Sequence, residues 1–210
     1  MADARDEAGM AGEDFVIKTL RTTSDLLARM AADAALCAAT VAAADAVVAA
    51  LRAGNKLLLC GNGGSAADAQ HWAGELVSRF HYDRPGLAAI ALTTDTSIMT
   101  GIGNDYGYER VFSRQVEALG ATGDVLFALS TSGRSPNILA ALGAARTKGM
   151  ATVGFTGAGS GDMPALCDIL LRVPHASTPR VQEGHEVLGH AICAIVEATL
   201  FPRPPDRPET

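Results

Sequence analysis

The sequence predicts an α/β fold, a doubly wound αβα sandwich with a five-stranded parallel sheet and an N-terminal helical extension. Short apolar runs alternate with helix-compatible stretches from residue 56 onward, which is the element order of a doubly wound protein. Most of these runs are continuously apolar, as expected for parallel strands buried on both faces. Polar turns rich in glycine, serine and threonine follow three of the runs. In such sheets ligands bind beyond the carboxyl ends of the strands, so these turns predict a binding site.

The N-terminal part of the chain predicts one or two long helices. Residues 13–53 contain neither proline nor glycine and are rich in alanine and leucine, and Gly54 follows them as a C-cap. We expect a flexible segment at residues 1–12, a single domain at 13–201 and a disordered, proline-rich tail at 202–210. So much alanine also favours close helix packing, including packing against another subunit.

The remaining elements follow in alternation. The predicted strands are Lys56–Cys60, Leu87–Thr93, Asp124–Ser130, Met150–Thr156 and Asp168–Val173. The predicted helices are Ala66–Arg79, Tyr108–Leu119, Asn137–Lys148, a short one near Asp162–Leu166, and Gly184–Leu200.

The composition favours a globular cytoplasmic protein. Of the 210 residues, 48% are hydrophobic and 19% charged, and the net charge of −6 argues against a nucleic-acid partner. The acidic N-terminus lacks the pattern of a signal peptide. The stretch Ala31–Ala50 comes nearest to a membrane span, but Asp33 and Asp45 interrupt it, so we expect no membrane segment. Four scattered cysteines without a CxxC spacing predict neither a disulfide framework nor a zinc ribbon.

Two turns predict an anion pocket. The first is Gly61–Ser65, where glycines allow close backbone approach and a helix start offers N–H groups. The second is Ser130–Ser135, with Pro136 suited to the first helical turn. A simpler interpretation gives Ser135 only the role of an N-cap. Four hydroxyls in six residues are more than one cap needs, so we favour anion binding.

A second group of side chains predicts acid–base or metal chemistry. His71 and Glu75 lie four residues apart on one predicted helix, so they share a face and can supply two ligands to a divalent ion. Without further partners they would be an ordinary exposed pair. Gln182 and His190 lie far downstream, and we expect Gln182 just before the last helix with its side chain turned back along it. Glu186 also pairs with His190 at the i,i+4 spacing. Glu186 or His185 could therefore contact the site residues from outside without binding the ion.

Four segments together resemble the sedoheptulose 7-phosphate isomerases (phosphoheptose isomerases) of the sugar isomerase (SIS) fold family. They occur in family order and cover most of residues 15–201. The segments are GNGGSAADAQHWAGELVSRF, LTTDTSIMTGIGNDYGYERVFSRQ, STSGRSPNILAAL and TPRVQEGHEVLGH. The glycine turn alone would be a weak signal, because such turns occur in many phosphate binders.

The resemblance implies an aldose–ketose isomerase that works through an enediol, with Glu75 as base and His190 as acid–base partner. It implies one divalent metal ion, with zinc the best fit to His71, Glu75, Gln182 and His190 as ligands. It also implies a homotetramer whose sites are completed between subunits. The implied substrate-binding residues are Asn62, Gly63, Gly64, Ser65, Glu75, Asn104, Asp105, Ser130, Thr131, Ser132, Ser135 and Gln182. Alternatives are a non-catalytic SIS protein, as a sugar-phosphate sensor or replication-initiation regulator, and an amino-sugar phosphate isomerase or deaminase.

Overall fold

A computed structural model describes residues 12–203 of the chain. Most of the predicted flexible segment 1–12 and of the predicted tail 202–210 lies outside these residues. Within them, Gly12 already begins the first helix, and Pro202 and Arg203 follow the last helix without regular structure. The helices are α1 (Gly12–Ala32), α2 (Ala34–Arg52), α3 (Gly64–Val77), α4 (Thr96–Tyr106), α5 (Ser113–Leu119), α6 (Pro136–Thr147) and α7 (Thr178–Leu200). The strands are β1 (Leu57–Cys60), β2 (Ala89–Ala91), β3 (Val125–Leu129), β4 (Ala151–Thr156) and β5 (Ile169–Arg172).

The five strands form one parallel sheet in the order β2-β1-β3-β4-β5. All five predicted strands are confirmed, each somewhat shorter than its apolar run. In the register, Leu58 of β1 pairs with Ile90 on one side and Leu126 on the other. Because all strands point the same way, the turns after β1, β2, β3 and β4 meet at one edge of the sheet.

Helices cover both faces of the sheet, as a doubly wound fold requires. Successive side chains of a strand point to opposite faces. Leu57 and Leu59 accordingly pack with the buried side chains of α1, α2, α3 and α7, while Leu58 and Cys60 pack with those of α5 and α6. The last helix therefore returns to the same face as α3, which brings two distant parts of the chain together.

The N-terminal helical region is divided into two helices at Asp33. The Asp33 carboxylate accepts hydrogen bonds from the backbone N–H groups of Ala35 and Leu36, at 3.0 Å each, and so caps α2. Contrary to our expectation, α2 is long and apolar enough to cross a membrane by length and composition, with a mean hydropathy of 2.0. Core helices pass the same test, and Ala43, Ala44 and Val47 of α2 are buried in the interior.

The prediction missed one helix and misplaced the starts of two others. Helix α4, which contains Asn104 and Asp105, was not predicted; Gly101 and Gly103 lower its helix propensity, and the Asp95 carboxylate caps it by accepting the Ile98 N–H at 2.9 Å. The predicted helix Tyr108–Leu119 is a 3₁₀ turn at Tyr108–Arg110 followed by α5. The last helix begins six residues before the predicted Gly184, because Pro179 is accommodated in its first turn. Gln182 therefore lies inside α7 rather than before it.

Candidate active site

The first turn of the site joins β1 to α3. Gly63 is the N-cap residue of α3 with φ +55°, a conformation that favours glycine, and no side chain caps the helix. Asn62 is anchored by two hydrogen bonds with Asn137, at 2.8 and 2.9 Å, and it accepts one from the Tyr108 hydroxyl at 3.3 Å. The turn is thereby fixed to the start of α6, while Gly63 and Gly64 at the start of α3 are exposed.

The second turn joins β3 to α6. Ser135 occupies the N-cap position of α6, but its hydroxyl makes no capping bond and lies 3.0 Å from that of Ser130. The Ser135 side chain therefore does not cap α6, contrary to the simpler interpretation. Gly133 has φ +67°, and a side chain there would overlap the backbone at Ser160 and Gly161. Ser132 is exposed and accepts a hydrogen bond from the Arg134 N–H at 3.2 Å.

These turns surround a cavity of about 320 Å³, which we call the loop cavity. It is lined by Asn62, Gly63, Gly64, Ser65, Leu129, Ser130, Thr131, Ser135, Thr178 and Gln182. The N-termini of α3, α6 and α7 all begin at this lining, and helix N-termini favour an anion through their N–H groups and dipoles. The Gln182 amide lies close against Gly64. The loop cavity can hold a phosphate group together with neighbouring hydroxyls.

A second group of side chains lies between α3 and α7. His71 and Glu75 of α3 and His190 of α7 each place one ligand atom within 4.8 Å of the others. The two Nε2 atoms are 2.8 Å apart, and Glu75 Oε1 is 3.6 Å from His71 Nε2. Both imidazoles are about half exposed, and the first opens into a cavity lined by Gln70, His71, Gly74, Glu75, Ser78, Arg79 and Phe80. We call these three residues with Glu186 the imidazole cluster.

Glu186 belongs to this cluster, although the predicted site set omitted it. Its Oε1 lies 3.1 Å from His71 Nε2 and 3.0 Å from His190 Nε2. Its Oε2 accepts a hydrogen bond from the Trp72 indole at 3.0 Å. The sequence indicated a contact between Glu186 and His190 through their i,i+4 spacing. The same spacing occurs in ordinary surface pairs, so it did not show that Glu186 belongs to the site.

The cluster can hold a divalent metal ion. Imidazole nitrogens with carboxylate oxygens are a donor set that zinc accepts. Donor atoms around a tetrahedral zinc ion lie about 3.3 Å apart, given its bond lengths to nitrogen and oxygen. The observed separations from His71 Nε2, which run from 2.8 to 3.6 Å, bracket this value.

Asp68 adds to the negative charge of this region. Burial, and next the nearby Glu186 carboxylate, raises the pKa of Asp68 to about 6, while His71 opposes the rise. Its Oδ2 is buried and has no hydrogen-bond partner among the described residues. The carboxyl groups of Asp68, Glu75 and Glu186 together favour a cation between α3 and α7.

A buried ion pair supports the end of α3 that carries Glu75. The Arg84 guanidinium donates to the carbonyl oxygens of Glu75 and Leu76, at 2.8 and 2.6 Å, and to Glu197 Oε1 at 3.0 Å. The Glu197 carboxylate also accepts the backbone N–H groups of Phe80 and His81. Burial raises the pKa of Glu197, but these bonds outweigh it and hold the pKa below its ordinary value. No local pattern pointed to this pair.

The structure brings together most of the predicted site residues, in two places. Residues of the two turns and Gln182 line the loop cavity, and His71, Glu75 and His190 lie together in the imidazole cluster. Asn104 and Asp105 are exposed on α4 and hydrogen bond to each other at 2.8 Å, outside the lining of the loop cavity. Their contact with substrate stays a prediction.

Comparison with known proteins gives the family. The SIS domain family matches residues 20–157. The phosphoheptose isomerase of Burkholderia pseudomallei strain 1710b is 59% identical over 187 residues, which cover 89% of this chain and 95% of that protein. The chain belongs to the phosphoheptose isomerase family. A second member, from Aneurinibacillus thermoaerophilus, is 62% identical over 148 residues, 70% of this chain and 75% of that protein.

Solved structures of family members agree with the fold. The phosphoheptose isomerase from Neisseria gonorrhoeae superimposes with a TM-score of 0.84 at 42% identity, covering 90% of this chain and 100% of that one. The phosphoheptose isomerase from Francisella tularensis superimposes with a TM-score of 0.85 at 37% identity, covering 89% of this chain and 98% of that one. The Vibrio vulnificus NanR protein, complexed with ManNAc-6P, gives 0.67 at 16% identity, over 96% of this chain and 67% of that one. That last similarity shows only that the fold is shared.

Proposed function

We propose that this member of the phosphoheptose isomerase family converts sedoheptulose 7-phosphate to D-glycero-D-manno-heptose 7-phosphate, the first step of nucleotide-activated heptose biosynthesis. The similarity to named phosphoheptose isomerases over nearly the whole chain carries the proposal. The reaction moves a proton between C1 and C2 of the sugar through an enediol. It needs a base for the carbon-bound proton, a proton carrier at the carbonyl oxygen, and a site that excludes solvent.

The loop cavity is the place for the sugar phosphate. The hydroxyls of Ser65, Ser130, Thr131 and Ser135 and the helix N-termini around them suit a phosphate dianion. We assign Asn62, Gly63, Gly64 and Ser132 to the same binding surface, and Gln182, Asn104 and Asp105 to the sugar hydroxyls. Holding the phosphate fixes the position of the far end of the sugar, which orients C1 and C2 for proton transfer.

Glu75 and His190 carry the proton transfer. Glu75 takes the proton from carbon, and its backbone is held by the Arg84 guanidinium. His190 moves the proton at the carbonyl oxygen, and the Phe80 ring packs 5.5 Å from its imidazole. A positioned proton carrier contributes about 10²–10⁴-fold to the rate.

We further propose one divalent ion per site, zinc being the best match to nitrogen and oxygen donors. The family set His71, Glu75, Gln182 and His190 would hold it, and three of these already converge. When bound, the ion polarises the substrate oxygens as a Lewis acid. Glu75 then serves as a ligand only while it is not acting as the base.

We also propose a cytoplasmic homotetramer that binds neither nucleic acid nor membrane. Helix α1 exposes Phe15, Val16 and Leu20, the last at 65%. An apolar groove of about 440 Å³ runs between α1, α2 and α7. Exposed apolar side chains beside an apolar groove are typical of a protein–protein interface.

An isomerisation assay tests the function. The purified protein should convert sedoheptulose 7-phosphate in D₂O with deuterium incorporated beside the carbonyl, followed by NMR. Glu75→Gln and His190→Gln should each lower kcat about 10²–10⁴-fold with substrate binding retained, because the loop cavity is untouched. Glu117→Gln, on the exposed surface, is the matched control. A protein that binds the sugar phosphate without converting it would contradict the proposal and indicate a non-catalytic sensor.

A further inference from the structure

The segment that follows β4 lies directly behind the second turn of the site, Ser130–Ser135. We call its residues 157–162 the backing loop. Strands β3 and β4 are neighbours in the sheet, so the turn after β3 and the loop after β4 leave it side by side. The lining of the loop cavity includes residues of the turn but none of residues 157–162. The backing loop therefore contacts the binding surface from behind.

Two carbonyl oxygens of the turn are held by this loop. The Gly157 N–H donates to the Thr131 carbonyl and the Asp162 N–H donates to the Gly133 carbonyl, at 3.0 Å each. In a trans peptide the N–H and C=O groups point in opposite directions, so the N–H that follows each of these carbonyls points away from the backing loop. Hydrogen bonds on the carbonyl side thus fix the direction of the donors in the turn, as a backbone site for an anion requires.

Gly133 and Gly161 stand back to back at this contact. Their φ values are +67° and +52°, in the left-handed region that favours glycine. A Cβ atom on Gly133 would overlap the backbone of Ser160, and one on Gly161 would overlap the Gly133 carbonyl. The two backbones are closer than side chains would permit, so the turn cannot move toward the loop and the loop cannot move toward the turn.

Ser160 is held in an unfavourable conformation at the same point. It has φ +50° and is the one non-glycine residue with a positive φ in the described part of the chain. Its side chain is buried, and its Oγ has no hydrogen-bond partner among the described residues. Backbone strain of this kind persists where the surrounding contacts impose it, and it is concentrated at functional sites. The strain therefore supports a functional role for the shape of the backing loop.

The backing loop is itself anchored on the side away from the turn. The Ala158 N–H donates to the His175 carbonyl at 3.0 Å, and the Arg172 guanidinium donates to the Ala158 carbonyl at 3.1 Å. Met163, which follows the loop, is fully buried among the side chains that α5 and α6 pack against the sheet. These contacts tie the loop to the end of β5 and to the core, so it can serve as a fixed support.

We infer that the backing loop is a positioning element for phosphate binding and that it acts through the contact of Gly161 with the Gly133 carbonyl. The inference rests on the proposed role of the loop cavity and extends it to residues that do not line that cavity. The backing loop contributes to the affinity for the phosphate group, whereas proton transfer takes place at the imidazole cluster.

The affinity for inorganic phosphate tests this role without relying on activity. Inorganic phosphate is titrated into the purified protein and followed by phosphorus NMR. Gly161→Ala should raise the Kd for phosphate about 10-fold or more, because a displaced Gly133 carbonyl misaligns donors that bind a charged group. In the isomerisation assay its KM for the sugar phosphate should rise by a larger factor than kcat falls. Gly159→Ala is the matched control in the same loop, because its added Cβ would meet nothing within 4 Å.

The outcomes separate this inference from the proposed function. Equal phosphate affinity in Gly161→Ala and Gly159→Ala would show that the inference is wrong while the loop cavity stands. A parent protein that binds neither inorganic phosphate nor the sugar phosphate would contradict both. Arg84→Met controls for lost stability, since it lies outside the loop cavity. A similar loss of phosphate affinity in Arg84→Met would mean that affinity follows stability alone, against the inference.

A second variant keeps the test decisive if circular dichroism shows that Gly161→Ala does not fold. Gly157→Ala introduces a milder overlap, because its Cβ would lie 2.8 Å from the Thr131 carbonyl oxygen and its φ is outside the left-handed region. It should raise the Kd for inorganic phosphate about 3- to 10-fold. An unchanged Kd in this variant would equally overturn the inference.

Discussion

Asp124 shows how one side chain joins two strands. It precedes β3, and its fully buried carboxylate accepts the backbone N–H groups of Lys56 and Ala121 at 3.0 and 2.8 Å. Lys56 Nζ adds an ion pair at 2.6 Å. Burial raises the pKa of Asp124, but the Lys56 and Ala121 contacts outweigh it and hold the pKa below its ordinary value. The residue thereby fixes the start of β1 beside the start of β3.

Asp124→Asn should lower the free energy of unfolding by about 1–3 kcal/mol, since buried partners lose a charged hydrogen-bond acceptor. Because the folded-state pKa is depressed, the unfolded chain binds more protons as the pH falls. The contribution is therefore present above the ordinary pKa of about 3.9 and is lost as the pH falls through the folded value. Denaturant unfolding between pH 3 and 7 should show a shallower acid loss in the variant. Exposed Asp83→Asn is the control, and parallel curves for Asp124→Asn and the parent protein would contradict the assignment.

At the scale of elements, the segment between α3 and β2 is held by the pair of Arg84 and Glu197. The side chains are 2% and 0% exposed, so neither charge is compensated by water. Arg84 also binds carbonyl oxygens at the end of α3, and Glu197 belongs to α7. The pair thus connects the two helices that carry the imidazole cluster.

Arg84→Met should cost about 3–5 kcal/mol of stability, because it leaves the Glu197 carboxylate buried without its partner. We also expect kcat to fall more than substrate affinity, since the carbonyl of Glu75 loses its donor while the loop cavity is unchanged. Adding Glu197→Gln to Arg84→Met should cost less than the sum of the two single changes. Urea unfolding and steady-state kinetics measure both effects. Strict additivity would show that the two residues act independently.

At the scale of the whole molecule, the packing of α3 against α7 places His71, Glu75 and His190 in one chain. Nothing in a doubly wound sheet requires the two helices to be neighbours, but α7 returns across the sheet to the face that carries α3. One chain therefore already brings these three side chains together, and completion of the site by a second subunit stays a prediction. The homotetramer itself stays a prediction, supported by the apolar groove of α1, α2 and α7.

Mixed oligomers test this assignment. When Glu75→Gln chains and His190→Gln chains are dissociated and reassembled together, every cluster should carry one of the two changes, so activity should not reappear. Each variant mixed with the parent protein should show activity in proportion to the parent chains present, which controls for reassembly. Recovery in verified mixed oligomers would mean that the two residues of one site come from different subunits.

The sequence by itself determined the fold class, the five strands and the family. Continuous apolar runs such as Lys56–Cys60 report burial on both faces directly, and the His71–Glu75 spacing fixes a shared helix face wherever the helix lies. Helix propensity did not predict α4, because its glycines lower the propensity although Asp95 caps the helix. It also did not predict that α7 begins before Gln182. In both places propensity and capping favour different structures within a few residues.

Only the tertiary structure decided which residues meet. The contact of Glu186 with His71, the support of Glu75 by Arg84, and the separation of Gln182 from His190 depend on how α7 packs after the sheet is formed. The first of these joins positions 115 residues apart. Periodicity and capping encode interactions over one or two helical turns, whereas such long-range contacts are set by the packing of whole elements and leave no repeat in the sequence.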